Sequence, residues 1–149
     1  LLIEENKISA EEMSMQKIRA YLDENPQDID RILNYNQSYV FFKLEPIGPI
    51  GSLQEQLTAA RSLALDQQIF PRGALAYMES FRPVLDEGGQ IFEWVDFKGF
   101  VLNQDTGGAI RGPGRADLFW GDGPYAKQAA GHMQHPGTLY FLVLRPDRL

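Results

Sequence analysis

Apolar positions repeat at helical spacing only in the first quarter of the chain. They recur every three or four residues, which is the spacing of one face of a helix. The two series are Met15, Ile18 and Leu22, and then Ile29, Ile32 and Leu33. Ser9 and Glu12 form a capping box ahead of the first series, and Asn25 followed by Pro26 is a start signal for the second. The pattern predicts two short helices within residues 9–35.

After residue 38 the pattern changes to short β-type runs separated by glycine and proline. The predicted strands are residues 39–42, 61–65, 74–78, 99–103 and 138–144. Residues 124–130 are expected to form one short helix before the last strand. Short strands with tight turns between them are typical of a small barrel or sandwich rather than of alternating βαβ units. We therefore expect a helical support segment at residues 1–36 and a mainly β domain at residues 37–149.

Composition and charge exclude several classes of protein. The chain has 149 residues, 44% of them hydrophobic, which is enough for a core of its own. A net charge of −6 argues against a nucleic-acid partner, because binding phosphates needs a concentrated basic face. No apolar run is long enough for a transmembrane helix, and the lack of cysteine excludes thiolate metal sites and thiol nucleophiles. Because the chain begins at Leu1, we expect a processed or excised C-terminal piece of a longer protein.

The most unusual stretch is a glycine-rich loop with a carboxylate on each side of it. Asp105 precedes Gly107 and Gly108, and Asp117 lies twelve residues after Asp105. Glycines beside an acid let the backbone approach a ligand and expose amide donors. If the two carboxylates share a cleft, repulsion and burial against neighbouring aromatic residues favour a protonated form near neutral pH, as a general acid requires. In the other interpretation both aspartates only accept hydrogen bonds from turn amides.

Other catalytic and binding motifs fit this stretch less well. Residues 105–107 read Asp-Thr-Gly, as in aspartic proteases, but one copy is present and polar residues precede it. The glycines lack the lysine and hydroxyl residue of a phosphate loop and the spacing of a dinucleotide loop. His132 and His135 supply two ligands where a catalytic zinc site needs three from the protein. We therefore expect surface histidines, no metal and no cofactor.

Six segments, in one order along the chain, carry a resemblance that covers nearly all of it. They are residues 12–19 (EMSMQKIR), 36–42 (NQSYVFF), 61–66 (RSLALD), 69–73 (IFPRG), 104–112 (QDTGGAIRG) and 115–121 (RADLFWG). Together they resemble the membrane-bound lytic murein transglycosylase A (MltA) family, and the last two look like its signature. Arg111 stands where relatives often carry lysine, a cation in both cases. The resemblance identifies the chain as a C-terminal part with the three-aspartate (3D) domain.

The resemblance implies a fold and a set of site residues. The fold would be a six-stranded double-psi β-barrel, preceded by the two short helices. Asp66, Asp105 and Asp117 would be the three aspartates that name the domain. The family's catalytic acid and base corresponds to Asp117, and Asp105 would lie beside it in the groove. Asp66 is expected to be a structural or hydrogen-bonding member.

The implied activity is cleavage of the peptidoglycan glycan strand between N-acetylmuramic acid and N-acetylglucosamine, without water, to give a 1,6-anhydro end. Amides of Gly107 and Gly108 are expected on substrate oxygens. Trp120 or Tyr125 would pack either on a sugar face or in the core. The alternative function is a peptidoglycan-binding barrel without catalysis, because one fold can host both.

The resemblance also implies surroundings for the parent protein. It would be a monomer in the bacterial periplasm, held to the outer membrane by a lipid anchor upstream of residue 1. The opening part of the barrel-bearing domain and an inserted second domain would also lie upstream. The glycan groove would then run between the two domains, so that this chain holds the acid but not the whole groove.

Overall fold

The computed structural model describes residues 1–145 and 147, in two units, Leu1–Leu44 and Glu45–Leu149. The boundary predicted between residues 36 and 37 lies inside the first unit and stays a prediction. The end predicted for the second domain, residue 149, lies outside the described residues.

The first unit is helical, as the apolar spacing predicts. Its elements are α1 (Met15–Glu24), a 3₁₀ turn (Pro26–Asp28) and α2 (Ile29–Leu33). The N–H of Glu12 donates to Ser9 Oγ at 3.3 Å, so the capping contact is present. The helix itself begins later, because Ser14 Oγ accepts from the N–H of Lys17 at 3.2 Å and serves as the N-cap. The two helices are therefore confirmed, with a later start for the first.

The strand predicted at residues 39–42 is absent, and that prediction is wrong. Residues 37–45 form neither helix nor strand, and the side chains of Phe41 and Phe42 are 88% and 96% exposed. The run has the aromatic and β-branched side chains that strands favour. A strand, however, exists only where a second strand completes its hydrogen-bond ladder. Propensity alone therefore does not make this segment a strand.

The second unit is built on one mixed β-sheet. Its strands are β1 (Ser62–Ala64), β2 (Leu75–Leu85), β3 (Ile91–Asp105), β4 (Asp117–Leu118) and β5 (Thr138–Phe141). They lie in the order β4-β1-β3-β2-β5, with β1 parallel to β3 and the other neighbours antiparallel. The mainly β architecture is confirmed. Within the described residues, however, the sheet has five strands and is open, so the six-stranded closed barrel implied by the resemblance is not confirmed.

Strands β2 and β3 form a hairpin much longer than the sequence pattern indicates. Their register runs from Leu75 paired with Leu102 to Leu85 paired with Ile91. At the turn the Asp86 N–H donates to the Gln90 carbonyl at 2.8 Å, and Asp86 Oδ1 accepts from the Gln90 N–H at 2.9 Å. Charged and aromatic residues alternate through the outer half, which is exposed on one side. That alternation, not a continuous apolar run, is what a half-buried antiparallel strand needs.

Two apolar clusters form the core of this unit and meet at Leu118. The first contains Leu63, Leu65, Ala76, Met78 and Val101, with Phe70, Phe97, Leu118, Leu139 and Phe141 packed against it. The second contains Trp120, Ala126 and Ala129, with Ala60, Leu118 and Met133 packed against it. The two alanines belong to α3 (Gly123–His132), which confirms the helix predicted at residues 124–130. No helix in the described part of the chain is long and apolar enough to cross a membrane.

Candidate functional site

The sheet places two of the predicted site residues in one row. Ala64 of β1 is paired with Asp105 of β3 on one side and with Asp117 of β4 on the other. Since neighbouring strands lie about 4.8 Å apart, the Cα atoms of the two aspartates are about 10 Å apart. The side chain between the two aspartates is the methyl group of Ala64. Both aspartates line one cavity of about 250 Å³, so the shared cleft considered from the sequence is present.

Asp117 is the more open of the two and is held by an arginine. Its side chain is 47% exposed, and Arg115 contacts both carboxylate oxygens, Nε to Oδ1 and Nη2 to Oδ2, each at 2.9 Å. A third donor, Arg115 Nη1, reaches the carbonyl of Ala109 at 2.9 Å. Hydrogen bonding and charge from Asp117 raise the pKa of the Arg115 guanidinium. The burial against aromatic residues expected for a protonated carboxyl is not found at this position.

Asp105 ends β3 and is partly buried. Its Oδ1 accepts from the N–H of Ser52 at 3.0 Å. Gly51 makes this approach possible, because a Cβ there would lie 2.6 Å from the Gln104 carbonyl oxygen. The Asp105 carboxylate therefore has one backbone donor and lines the 250 Å³ cavity.

Asp66, the third aspartate of the resemblance, is 4% exposed. Its Oδ2 accepts from the N–H of Gly112 at 2.8 Å and its Oδ1 from the N–H of Gln68 at 3.0 Å. These backbone hydrogen bonds lower the pKa of Asp66, and the charge of Arg111 adds to the effect. Asp66 thus ties the segment after β1 to the glycine loop, and Asp66 is absent from the lining of both cavities described for this unit.

Asp117 also lines a larger open groove of about 990 Å³. One wall is the segment that leads into β4, including Arg115, and another is formed by His135 and the start of β5. Met133 and Phe141 supply apolar surface to it. The volume is at the upper end of the range for small-molecule sites. Asp117 lines both the groove and the 250 Å³ cavity, which places one carboxylate where the two open spaces meet.

Trp120 lines the groove, whereas Gly107 and Gly108 of the predicted site line neither cavity. Gly107 accepts at its carbonyl from the N–H of Ile110 at 3.0 Å, and Gly108 is exposed beside it. Trp120 lines the groove but is only 7% exposed, because its indole packs in the second core cluster. The ring of Tyr125 lies 6.1 Å from it. Most of the Trp120 surface is thus used in the core.

His132 and His135 contact different residues. The His135 ring lies 4.0 Å from the Trp94 ring and 5.4 Å from the Phe81 ring. His132 Nδ1 is 2.9 Å from the carbonyl of Gln128 on its own helix. Among the residues that the structure describes, no three acidic, histidine or cysteine side chains come together as a metal site would require.

Three contacts of this site were missed by reasoning from the sequence. Ser52 comes from a segment far from the motif, Ala64 separates the aspartates, and Arg115 binds Asp117. The first two depend on contacts between distant parts of the chain, which no local sequence pattern predicts. For Arg115 a signal existed, because opposite charges two residues apart at a strand start lie on the same side of the chain.

Two family models match parts of this chain. Residues 61–143 match the family model described as the 3D domain. That range covers more than half of the chain and contains Asp66, Asp105 and Asp117. The chain belongs to the 3D domain family. Residues 1–43 match a second model, the MltA specific insert domain, which the resemblance is expected to place upstream of residue 1.

Relatives confirm the resemblance to the MltA family. Membrane-bound lytic murein transglycosylase A of Escherichia coli (strain K12) is 32% identical over 148 residues, covering 98% of this chain and 40% of the relative. The crystal structure of MltA from Neisseria gonorrhoeae, monoclinic form, has a TM-score of 0.77 at 31% identity and covers 94% of this chain and 34% of that one. The crystal structure of E. coli MltA with bound chitohexaose has a TM-score of 0.78 at 27% identity, covering 97% and 43%. The chain thus spans about 40% of the length of the curated relatives it matches.

Proposed function

We propose that the protein containing this chain is a lytic transglycosylase that cleaves the glycan strand of peptidoglycan. The bond cut is the β-1,4 linkage between N-acetylmuramic acid and N-acetylglucosamine. Membership of the 3D domain family and the names of the relatives support the reaction class. The chitohexaose bound in the crystal structure of one relative supports a glycan of N-acetylated sugars as the substrate. The observation that carries the proposal is that Asp105 and Asp117, each paired with Ala64, line one cavity, and that Asp117 also lines the groove.

Asp117 acts as general acid and then as general base. Its carboxylic proton goes to the glycosidic oxygen, the bond from C1 to that oxygen breaks, and the electron pair stays on the leaving sugar. The carboxylate formed then accepts the proton of the C6 hydroxyl as that oxygen bonds to C1. The products are a 1,6-anhydro sugar and a free 4-hydroxyl, and Asp117 ends with its proton restored.

One catalytic carboxylate is enough for this reaction. A retaining glycosidase needs a second carboxyl group about 5 Å from the first, and an inverting one needs it at about 6.5–9.5 Å with a water between. In a transglycosylase the nucleophile belongs to the sugar, and a well-placed intramolecular hydroxyl can act at an effective molarity of about 10⁵ M or more. Asp105 is therefore not needed as a second catalytic carboxylate.

The other site residues support Asp117. Asp105, fixed by the Ser52 amide, disfavours the ionised form of Asp117 by charge repulsion or orients a sugar hydroxyl. Amides of Gly107 and Gly108 bind substrate oxygens from the loop that Asp66 holds in place. Trp120 contributes its exposed edge to the groove wall.

The remaining features of the proposal concern the whole protein. In the full-length protein, strands from outside this chain close the open sheet into the six-stranded double-psi barrel. The protein works as a monomer in the bacterial periplasm, attached to the outer membrane through an upstream lipid anchor. The names of the curated relatives, which describe membrane-bound enzymes, support this location.

Mass spectrometry of the products from purified peptidoglycan tests the function. The full-length protein should release anhydro-muropeptides, and Asp117→Asn should release them at least about 10²-fold more slowly while keeping its fold. Asp122→Asn, an exposed aspartate at the start of α3, is the matched control and should behave as the unmodified protein. Reducing-end products would mean hydrolysis and would contradict the mechanism.

The alternative is a peptidoglycan-binding module without catalysis. The ion pair of Arg115 with Asp117 is the observation that favours it, because a binder can keep that carboxylate permanently ionised. Binding of glycan without products, unchanged in Asp117→Asn, would support this alternative and refute the transglycosylase.

A further inference from the structure

The contact between Arg115 and Asp117 is incompatible with the acid role as it stands. Both carboxylate oxygens accept hydrogen bonds from one guanidinium at 2.9 Å. In a protonated carboxyl one oxygen carries the O–H donor and is a weaker acceptor, so the pair of charge-assisted hydrogen bonds to the guanidinium is lost. The geometry is therefore that of the ionised side chain, whereas cleavage begins with the protonated one.

The contact is also easy to break. The side chains of Arg115 and Asp117 are 48% and 47% exposed, and solvent screens ion pairs of this kind. Both residues line the groove, so that a glycan reaching Asp117 meets the guanidinium as well. The bond from Nη1 to the Ala109 carbonyl gives Arg115 a second partner in the glycine loop.

The surroundings of Asp117 hold few other charges. Across β1, the neighbouring residues are Ala64 and Leu63, neither of them titratable. Beyond β1 stands Asp105, a like charge on the same cavity, and across the groove stands His135. Arg115 is thus the cation in contact with Asp117 among the described side chains.

We propose that Arg115 is a positioning residue that glycan binding displaces from Asp117. In the free protein it holds the ionised carboxylate in the wall of the groove. When a glycan occupies the groove, sugar groups replace the Arg115 guanidinium at Asp117, and the Asp117 carboxylate takes up one proton from solvent. Asp117 is then in the protonated form that a general acid requires. This inference rests on the proposed function, since it assigns Arg115 a role through the acid.

The pH dependence of the full-length protein separates the free state from the complex. The profile of kcat/KM reports groups in the free enzyme, and that of kcat reports groups in the complex. In Arg115→Gln the alkaline limb of kcat/KM should move to higher pH, because the cation that favours loss of the proton is gone. The alkaline limb of kcat should stay in place, because Arg115 has already left Asp117 in the complex.

Two further variants make the assignment specific. Arg115→Lys keeps the charge but cannot bind both oxygens as a fork, so its kcat/KM limb should lie between those of the unmodified protein and Arg115→Gln. Arg145→Gln is the matched control, because Arg145 binds Asp147 two residues away with the same pair of donors, Nε at 3.0 Å and Nη2 at 3.2 Å. It should move neither limb. If both limbs move together in Arg115→Gln, or neither moves, the proposal is overturned.

A binding experiment tests the same idea without turnover. Titration with chitohexaose in buffers of different ionisation enthalpy measures the protons taken up on binding. The unmodified protein should take up protons near neutral pH, Arg115→Gln fewer, and Asp117→Asn none. The ¹⁵N–¹H signal of Arg115 Nε should also move as the oligosaccharide binds. A signal that stays unchanged in the bound protein would refute displacement, whereas failure of the proposed function would appear separately as missing anhydro products.

Discussion

Asp66, which follows β1, and Asp117, which begins β4, are both aspartates of the family motifs, yet their surroundings differ in almost every respect. Asp66 is buried and accepts two backbone N–H groups, whereas Asp117 is half-exposed and contacts a side chain that solvent also reaches. Asp105 lies between the two, with one backbone donor and one open cavity. Backbone donors to the three carboxylates thus decrease from two to one to none as the exposure of the residue increases.

This comparison separates structural from chemical roles within one motif. A carboxylate saturated by backbone amides cannot leave them without disrupting the loop, and it remains ionised because those donors favour the charged form. A carboxylate held by a mobile guanidinium can exchange that partner for substrate and proton. We therefore expect stability to depend on Asp66 and turnover to depend on Asp117.

The largest expected effect is on turnover in Asp117→Asn. Removing a positioned acid and base should lower kcat by about 10²–10⁴-fold, with the melting temperature nearly unchanged because the side chain is half-exposed. The measurement is the rate of anhydro-product release alongside thermal unfolding. A variant with a lowered melting temperature and normal turnover would contradict the catalytic role assigned to Asp117.

Next in size is the effect of Asp66→Asn on stability. The amide has one acceptor oxygen, so either the Gly112 or the Gln68 N–H would face a donor and lose its hydrogen bond. The melting temperature should fall by several degrees, and the residual activity of the folded fraction should be far above that of Asp117→Asn. Asp96→Asn, an exposed aspartate on β3, is the control and should leave both readouts unchanged.

A smaller effect concerns acid stability. The pKa of Asp66 is lowered from an ordinary value of 3.8, so its contribution to stability is complete above that pH and is lost as the pH falls through the lowered pKa. The unmodified protein should therefore lose stability more steeply below pH 3.8 than Asp66→Asn does. Melting temperatures of both proteins, measured across that pH range, test this expectation. Equal losses in the two proteins would show that Asp66 is not the group responsible.

The smallest expected effect belongs to Asp105→Asn. Its amide oxygen can still accept from the Ser52 N–H, so the fold and the cavity should persist while one negative charge is lost. Without that charge Asp117 loses its proton more readily, and the alkaline limb of kcat/KM should move to lower pH. The direction is opposite to that expected for Arg115→Gln, and a shift of both variants in one direction would contradict the roles assigned to the two residues.

Local patterns predicted the helices well and the sheet only in part. Side chains three or four residues apart define α1 and α2, and a Pro-initiated segment defines α3, because helices depend on contacts within a few residues. The outer half of the β2–β3 hairpin was missed, since its alternating charged and aromatic residues resemble surface loop. The strand predicted at residues 39–42 failed for the opposite reason, because apolar character was present but no ladder forms.

By itself the sequence determined the family, the three aspartates and the division into a short helical and a longer β-rich segment, because motifs and periodicity are local properties of the chain. Only the tertiary structure decided that Ala64 separates Asp105 from Asp117, that Ser52 fixes the first and that Arg115 holds the second. It also decided that Asp66 is buried by the glycine loop rather than turned to the groove. The physical reason is that ionisation and hydrogen bonding depend on neighbours in space, and strand pairing brings those neighbours from distant parts of the chain.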